Sequence, residues 1–152
     1  MRIGFGNDIH RLSEGRSLYL GGVKLDWNKG EVAHSDGDVL IHAVIDALLG
    51  ALSKGDIGTF FPPEDKKWKD ADSRELLKTI LEMTKPTIIN LDSTVTLEGF
   101  KLNPHIKEIR ESLAGLLSIP MEDVSVKAKT NEGLDALGRG EAIKAEVAVL
   151  LD

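Results

Sequence analysis

Three titratable side chains recur on one face of a predicted helix. Asp38, His42 and Asp46 are four residues apart in the segment HSDGDVLIHAVIDALLGA, which spans 34 to 51 and is otherwise mostly apolar. A spacing of four places side chains on the same face of a helix. An ionisable group in an apolar helix costs free energy unless it is paired, hydrogen-bonded or bound to a metal. The stripe therefore indicates a site, although a solvent-facing seam with a hydrogen-bonded core histidine would give the same pattern.

A carboxylate and an imidazole lie two residues apart near the end of a predicted strand over 1–11. Asp8 and His10 share one face of this strand with two glycines, Gly4 and Gly6, which leave room for another group to approach. The opposite face is apolar and is expected to belong to the core: Ile3, Phe5 and Ile9. Surface strands also produce an Asp-x-His pair by chance, so the pair becomes informative only beside the histidine of the helix.

One carboxylate and two imidazoles from two separate elements form a ligand set typical of Zn²⁺ or a similar divalent transition ion. Asp8, His10 and His42 would leave a tetrahedral ion one open position, which is a property of catalytic rather than structural metal sites. Either Asp38 or Asp46, one helical turn from His42, is expected to accept the free ring N–H of that histidine.

Composition narrows the class of protein. The chain has 152 residues, no cysteine and a formal charge of -6. This length is enough for one domain with its own core, and the lack of cysteine excludes disulfides and thiolate metal sites. A negative charge argues against a nucleic-acid-binding protein, and an anionic ligand would need cations to bind. Without a signal-peptide pattern or a long apolar run, we expect a cytoplasmic protein that has no membrane partner.

The remaining elements follow from hydrophobic period and from capping or turn residues. Asp38 or Asp36 is expected to cap the central helix, and Asn103 is expected to cap a third helix with Pro104 at its first position. The segment 18–25 is predicted to be an edge strand bent at Gly21 and Gly22. The further predicted elements are a second helix over 72–83 and strands over 87–90, 93–97, 124–128 and 142–151.

Seven segments in this order resemble one enzyme family. They are GFGNDIHR at 4–11, LGG at 20–22, HSDGDVLIHAVIDALLGA at 34–51, GDIGTFFP at 55–62, ADSRELL at 71–77, KLNPHI at 101–106 and KAKTNEGLDALGRGEAI at 127–143. In these segments the chain resembles the 2-C-methyl-D-erythritol 2,4-cyclodiphosphate synthases of the non-mevalonate isoprenoid pathway. With the elements above, the resemblance implies a single α/β (α+β) domain over 1–152. Its mixed β-sheet would be packed on one side by about three helices, ferredoxin-like in style, and it would assemble as a trimer.

The implied activity is that of a phosphorus–oxygen lyase. The enzyme would convert 4-diphosphocytidyl-2-C-methyl-D-erythritol 2-phosphate to 2-C-methyl-D-erythritol 2,4-cyclodiphosphate and CMP by intramolecular phosphoryl transfer. Active sites would lie between the subunits of a homotrimer, with Arg139 and Glu141 as a polar pair near its centre.

The resemblance also implies cofactors and residue roles. One divalent transition ion, zinc or manganese, would be held by Asp8, His10 and His42. Glu132 matches the ligand of a magnesium or manganese ion that accompanies the diphosphate. His34 and Thr130 match residues thought to stabilise the transition state. The positions that match substrate contacts are Asp8, His10, His34, Ser35, Asp56, Ile57, Gly58, Phe61, Asp65, Leu97, Phe100, Lys101, Leu102, Asn103, Lys129, Thr130, Glu132 and Arg139.

Some residues depart from the family pattern, and none of them belongs to the metal set. They are Pro63 in place of Asp, Phe100 in place of Pro, Lys129 and Asn131 within a usual run of Thr, and Ala136 in place of an aromatic residue. Strand alternation places Lys129 with Lys127 on the exposed face.

Two alternative functions remain at this stage. A metal-dependent nucleotide hydrolase would use the open metal position to activate water, and a non-catalytic trimer would bind metal or nucleotide without turnover. The presence of the loop at 34–35 together with Thr130 and Glu132 argues against both.

Overall fold

The computed structural model describes residues 1–152. Its strands are β1 (Arg2–Glu14), β2 (Leu18–Leu20), β3 (Val23–Leu25), β4 (Lys29–Val32), β5 (Ile88–Thr96), β6 (Val124–Lys129) and β7 (Ala142–Leu151). Five of them form a mixed sheet in the order β4-β1-β7-β5-β6, and β2 and β3 form a separate two-stranded sheet. The β5–β6 pair is parallel, and the other neighbouring pairs of the five-stranded sheet are antiparallel. The two segments predicted around 87–97 are therefore one strand.

Three long helices cover one side of this sheet, which confirms the predicted α+β architecture. The helices are α1 (Val39–Ala51), α2 (Ile57–Phe60), α3 (Ser73–Thr84), α4 (Ile106–Leu117) and α5 (Asp135–Gly138). Helix α1 packs on β1 and β7, α4 packs on β6, and α3 contacts both of these helices. The alternation predicted for the last strand is also found, since the odd-numbered residues 143–151 of β7 are all buried.

Two local predictions were wrong. The segment 18–25 is a hairpin of β2 and β3 rather than one bent strand, because Gly21 and Gly22 both have positive φ and close a tight turn. Asn103 does not cap α4: Asn103–His105 forms a 3₁₀ turn, and α4 begins only at Ile106.

The contact between β1 and α1 reverses the predicted orientation of β1. A Cβ atom at Gly4 would lie 1.8 Å from the carbonyl oxygen of Ala47, and one at Gly6 would lie 2.1 Å from that of Ala43. The backbone of α1 therefore lies directly on the glycine face, and a larger side chain there would hold the helix away. The residues predicted to face the core lie on the uncovered face of the sheet and are exposed: Ile3 by 77%, Phe5 by 60% and Ile9 by 54%.

Helix α1 is buried along its length, with only Asp46 and Gly50 outside the buried set. Of the two predicted caps, Asp38 and Asp36, it is Asp38 that caps the N-terminus of α1, by accepting a hydrogen bond from Ile41 N at 3.0 Å. The same carboxylate accepts from Gly21 N at 2.9 Å and from Gly22 N at 2.6 Å. One side chain thus joins the β2–β3 turn to the start of α1.

A second buried carboxyl group supports the start of α1. Glu31 is only 1% exposed, and its Oε1 accepts a hydrogen bond from Val39 N at 3.1 Å, whereas its Oε2 has no hydrogen-bond partner. Burial, together with the nearby charge of Asp38, raises the pKa of Glu31 well above its ordinary value. The neutral form is therefore the one that this site favours.

The raised pKa predicts how Glu31→Gln changes stability with pH. A carboxyl group whose pKa is higher in the folded state stabilises the fold at low pH and loses that contribution as pH rises through the folded value. Glutamine keeps the acceptor for Val39 N and cannot ionise. The free energy of unfolding of Glu31→Gln, relative to wild type, should therefore increase from about pH 5 to about pH 8.

Urea denaturation at both pH values measures this difference, and Glu82→Gln, an exposed change on α3, is the matched control. A difference between Glu31→Gln and wild type that stays constant with pH would contradict the raised pKa.

Candidate metal centre and substrate site

The structure brings Asp8, His10 and His42 together at the contact between β1 and α1. Asp8 Oδ2 lies 3.0 Å from His10 Nε2 and 3.1 Å from His42 Nδ1, and one ligand atom from each residue lies within 4.8 Å of the others. Asp8 and His10 follow the two glycines on the face of β1 that α1 covers. The packing of α1 on β1 therefore brings the three side chains close enough to bind one ion.

The orientation and charge of the cluster suit a divalent cation. The Nδ1 of His10 lies 2.7 Å from the Gly37 carbonyl oxygen, to which only a protonated nitrogen can donate, so His10 Nε2 can present its lone pair beside Asp8. Burial by itself raises the pKa of Asp8, but the contacts with His10 and His42 outweigh it and hold this pKa well below its ordinary value. Burial lowers the pKa of His10, and the contact with Asp8 raises it overall.

The second nitrogen of His42 contacts hydroxyl groups rather than a carboxylate. His42 Nε2 lies 3.0 Å from Ser73 Oγ and 3.1 Å from Ser35 Oγ. The prediction that Asp38 or Asp46 accepts the free ring N–H of His42 is therefore wrong. The carboxylate of Asp38 is engaged by the backbone N–H groups described above, and that of Asp46 accepts from Ile57 N at 2.7 Å.

A cavity of about 340 Å³ opens beside the cluster. Eleven residues line it: His10, Ala33, His34, Ser35, His42, Ile57, Gly58, Phe61, Pro63, Trp68 and Leu76. All five candidates from 34–35 and 57–61 therefore line the cavity beside the metal ligands. Asp56 and Asp65 do not line the cavity, because each carboxylate caps a short helical turn by accepting from Thr59 N and Lys67 N, respectively.

A second cavity of about 310 Å³ lies at the ends of β5 and β6. Its lining is Leu97, Phe100, Lys101, Leu102, Asn103, Ala128, Lys129 and Thr130. It includes every candidate from 97–103 as well as Lys129, which is exposed as the strand alternation predicted. No residue lines both cavities.

The remaining candidates lie outside both cavities. Glu132 is exposed, and its Oε1 accepts a hydrogen bond from the Thr130 hydroxyl at 3.1 Å. Arg139 is also exposed and pairs with Glu141 at 2.9 Å. Within a single chain, these side chains and the metal ligands are therefore not brought to one cavity.

Sequence reasoning missed several residues of the site. Ser73 and Leu76 lie in the helix that the sequence predicted over 72–83, and Trp68 precedes it, but none of the three was assigned to the site. Ser73 lies inside the ADSRELL segment that carried the resemblance, directly after Asp72, which caps α3 by accepting a hydrogen bond from Arg74 N. No local pattern indicates that its hydroxyl contacts His42.

None of the helices combines the length and the apolar character that a membrane span requires.

Comparisons with known proteins agree over the whole chain. The model described as the YgbB family matches residues 1–152. The 2-C-methyl-D-erythritol 2,4-cyclodiphosphate synthase of Treponema denticola is 52% identical over 154 residues, which are 99% of this chain and 96% of that protein.

Solved structures give the same result. A synthase of this name in a CDP-bound form shares 40% identity, with a TM-score of 0.92 over 99% of this chain and 100% of the other. The bifunctional IspDF of Campylobacter jejuni shares 38% identity, with a TM-score of 0.93, over 97% of this chain and 41% of that longer one. This chain therefore belongs to the YgbB family, together with the 2-C-methyl-D-erythritol 2,4-cyclodiphosphate synthases.

Proposed function

We propose that this chain is a cyclodiphosphate synthase of the phosphorus–oxygen lyase class. It converts 4-diphosphocytidyl-2-C-methyl-D-erythritol 2-phosphate to 2-C-methyl-D-erythritol 2,4-cyclodiphosphate and CMP, as a biosynthetic enzyme of the cytoplasm. The observation that carries this proposal is the convergence of Asp8, His10 and His42 beside a cavity, in a chain that belongs to this family.

The reaction needs no nucleophile from the protein. An oxygen of the 2-phosphate forms a bond to the β-phosphorus, the bond from that phosphorus to the oxygen bridging to CMP breaks, and CMP leaves with the electron pair. Because the substrate contains both the nucleophile and the leaving group, the protein must fold it into an in-line geometry and reduce the repulsion between its phosphates.

The donor set at β1 and α1 fits a divalent transition ion, zinc or manganese. An ionised carboxylate and two imidazole nitrogens converge there, and Asp8, His10 and His42 would hold the ion. Glu132 would hold a magnesium or manganese ion together with the substrate diphosphate. When bound, these ions neutralise phosphate charge and orient phosphate oxygens.

The two cavities divide the substrate between them. The cavity beside the metal ligands combines apolar walls with His34 and Ser35, and suits the methylerythritol portion and its phosphate. The cavity at β5 and β6 is partly apolar, with Lys101 and Asn103 at its wall, and suits the cytidine. The remaining substrate contacts would come from Asp56, Asp65, Lys129 and Arg139.

The separation of the cavities supports an active site shared between subunits of a homotrimer. No residue lines both cavities of one chain, so a neighbouring subunit would bring its cytidine cavity to the metal ligands. The exposed apolar side chains of Ile3, Phe5 and Ile9 give the uncovered sheet face the composition of a subunit interface.

Phosphorus NMR of purified protein with the cytidylyl substrate, zinc and magnesium tests the reaction. The proposal requires resonances of the cyclic diphosphate and CMP. Release of CMP with an open-chain diphosphate would indicate a hydrolase instead, and binding without turnover would indicate a non-catalytic metal or nucleotide-binding trimer.

Removing one metal ligand should abolish turnover while the fold survives. His42→Ala leaves Asp8 and His10 without the third donor, and misplacement of a reacting group alone can cost about 100-fold in rate. Zinc content by elemental analysis should fall together with turnover, and the far-ultraviolet circular dichroism should be unchanged. Asp46→Asn, one turn further along α1, should keep stoichiometric zinc, because Asp46 contacts Ile57 N and not the ligands. Retention of zinc by His42→Ala would remove His42 from the ligand set.

Glu132 is predicted to act through the ion that the diphosphate brings. An ion with oxygen ligands that is held partly by substrate phosphates binds weakly when one protein carboxylate is neutralised. Glu132→Gln should therefore raise the magnesium concentration needed for half-maximal rate, with little change in zinc content. The same magnesium dependence in variant and wild type would exclude this role.

Thr130 and His34 are the proposed catalytic groups. The Thr130 hydroxyl lies beside Glu132, so both side chains can act on one phosphate. A donor that acts on charge developing in the transition state affects turnover more than affinity, and removal of one such donor typically costs about 10²–10³ in kcat. Thr130→Val should lower kcat by this order and change KM much less. A variant that loses affinity but keeps its turnover would contradict the assignment.

A further inference from the structure

Nε2 of His42, the ring nitrogen that does not face Asp8, contacts Ser73 of α3, a helix that supplies no metal ligand. We propose that Ser73, fixed by Asp36, is a positioning residue for His42 and selects the imidazole tautomer that can bind the metal. This proposal rests on the metal site of the proposed function. It adds that Ser73, the first residue of α3, is needed for full metal affinity.

The first step concerns which nitrogen carries the hydrogen. His42 Nδ1 lies 3.1 Å from Asp8 Oδ2, on the side where the three ligand atoms converge, so Nδ1 must offer its lone pair to an ion. In a neutral imidazole the other nitrogen then carries the N–H group. His42 Nε2 therefore needs a hydrogen-bond acceptor, and Ser73 Oγ lies 3.0 Å from it.

The second step concerns the direction of the Ser73 hydroxyl. The Ser73 hydroxyl donates a hydrogen bond to Asp36 Oδ1, because a carboxylate can only accept. The hydroxyl proton is thus committed to Asp36, and a lone pair of Ser73 Oγ remains for His42 Nε2–H. Asp36 Oδ2 also accepts from Ser73 N at 3.0 Å, so this residue is held through both its backbone and its side chain.

Ser35 is the competing acceptor for the Nε2–H of His42, and its hydroxyl is the weaker acceptor of the two. Its Oγ lies 3.1 Å from His42 Nε2 but also accepts the Gly37 N–H at 3.2 Å. A hydroxyl that donates to a carboxylate is the stronger acceptor, because hydrogen bonds in a chain polarise one another. Ser73 is also fully buried. These differences assign the main contact to Ser73.

The resulting chain runs from Asp36 through Ser73 to His42. It is a carboxylate–histidine arrangement of the kind that orients metal ligands, with a serine hydroxyl interposed. It links the loop before α1 to the first residue of α3, and both elements also flank the substrate cavity. Loss of the hydroxyl should leave the ring free to turn and its N–H without its main partner.

Zinc affinity is the first measurement, made on purified full-length protein by competition with a chromophoric chelator. Removing a partner of a metal-bound histidine typically weakens metal binding by about 10- to 100-fold, and Ser73→Ala should do so. Ser73→Thr retains the hydroxyl and should restore a large part of the affinity. Ser93→Ala removes a buried hydroxyl from β5, where Ser93 Oγ donates to Ser125 O at 2.8 Å, and should leave zinc affinity unchanged.

A spectroscopic signature separates positioning from a general loss of stability. In the zinc-loaded protein with ¹⁵N-labelled histidine, His42 should show Nδ1 bound to metal and an Nε2–H that exchanges slowly with water. In Ser73→Ala this exchange should be faster, while Ser93→Ala should match wild type.

The outcomes are distinguishable. Wild-type zinc affinity and wild-type exchange in Ser73→Ala would overturn the positioning role while leaving the metal site intact. A loss in Ser35→Ala that exceeds the loss in Ser73→Ala would also overturn it, since Ser35 would then be the main acceptor. A wild-type protein that binds no zinc would overturn both this inference and the metal site of the proposed function.

Discussion

The close contact between the backbones of β1 and α1 is the constraint on which the rest of the structure depends. Glycines at positions 4 and 6 allow the carbonyl oxygens of Ala43 and Ala47 to approach the strand more closely than any side chain would permit. Since side chains alternate along a strand, Asp8 and His10 continue the same face and meet the same helix. His42 then lies opposite them, one residue before the first carbonyl in this contact. The same contact between β1 and α1 therefore determines both the packing of the core and the geometry of the candidate metal site.

Buried polar groups at the start of α1 make that arrangement specific. Asp38 accepts from two backbone N–H groups of the β2–β3 turn and from one of the helix, and Glu31 accepts from Val39 N. Asp36 connects the same loop to α3 through Ser73. Buried groups that are satisfied in only one arrangement fix the positions of the elements that they join. The loop over 33–38 is therefore held at several points, and His34 in this loop lines the cavity beside the metal ligands.

The charge of the protein is consistent with a polyanionic substrate only if cations mediate binding. The chain carries a formal charge of -6, and the carboxylate of Asp8 stays ionised because His10 and His42 lower its pKa. Such a centre attracts a metal ion before it can attract phosphate. In the proposed reaction the protein positions the ions and the two ends of the substrate, and in the proposed trimer a neighbouring subunit would bring together the lining residues that one chain divides between two cavities.

The sequence by itself determined the chemistry and the local structure. The spacing of Asp8, His10 and His42 identified the residues that converge, the cap of α1 was narrowed to Asp38 or Asp36, and the alternation of β7 gave its buried face. These features depend on period and on capping, which are properties of neighbouring residues. The ordered motifs indicated the family for the same reason, because each is a continuous segment.

Tertiary structure alone decided which face of β1 is covered, which residue holds His42 and how the candidates are divided between cavities. Period shows that Ile3, Phe5 and Ile9 share a face, but not which face a helix will cover; the close approach at the glycines settled that. Ser73 contacts a histidine 31 residues earlier in the chain. Such a contact depends on how α3 packs against α1, and no local pattern at Ser73 carries that information. Trp68 and Leu76 line the cavity beside the metal ligands, and this too depends on how distant segments pack together.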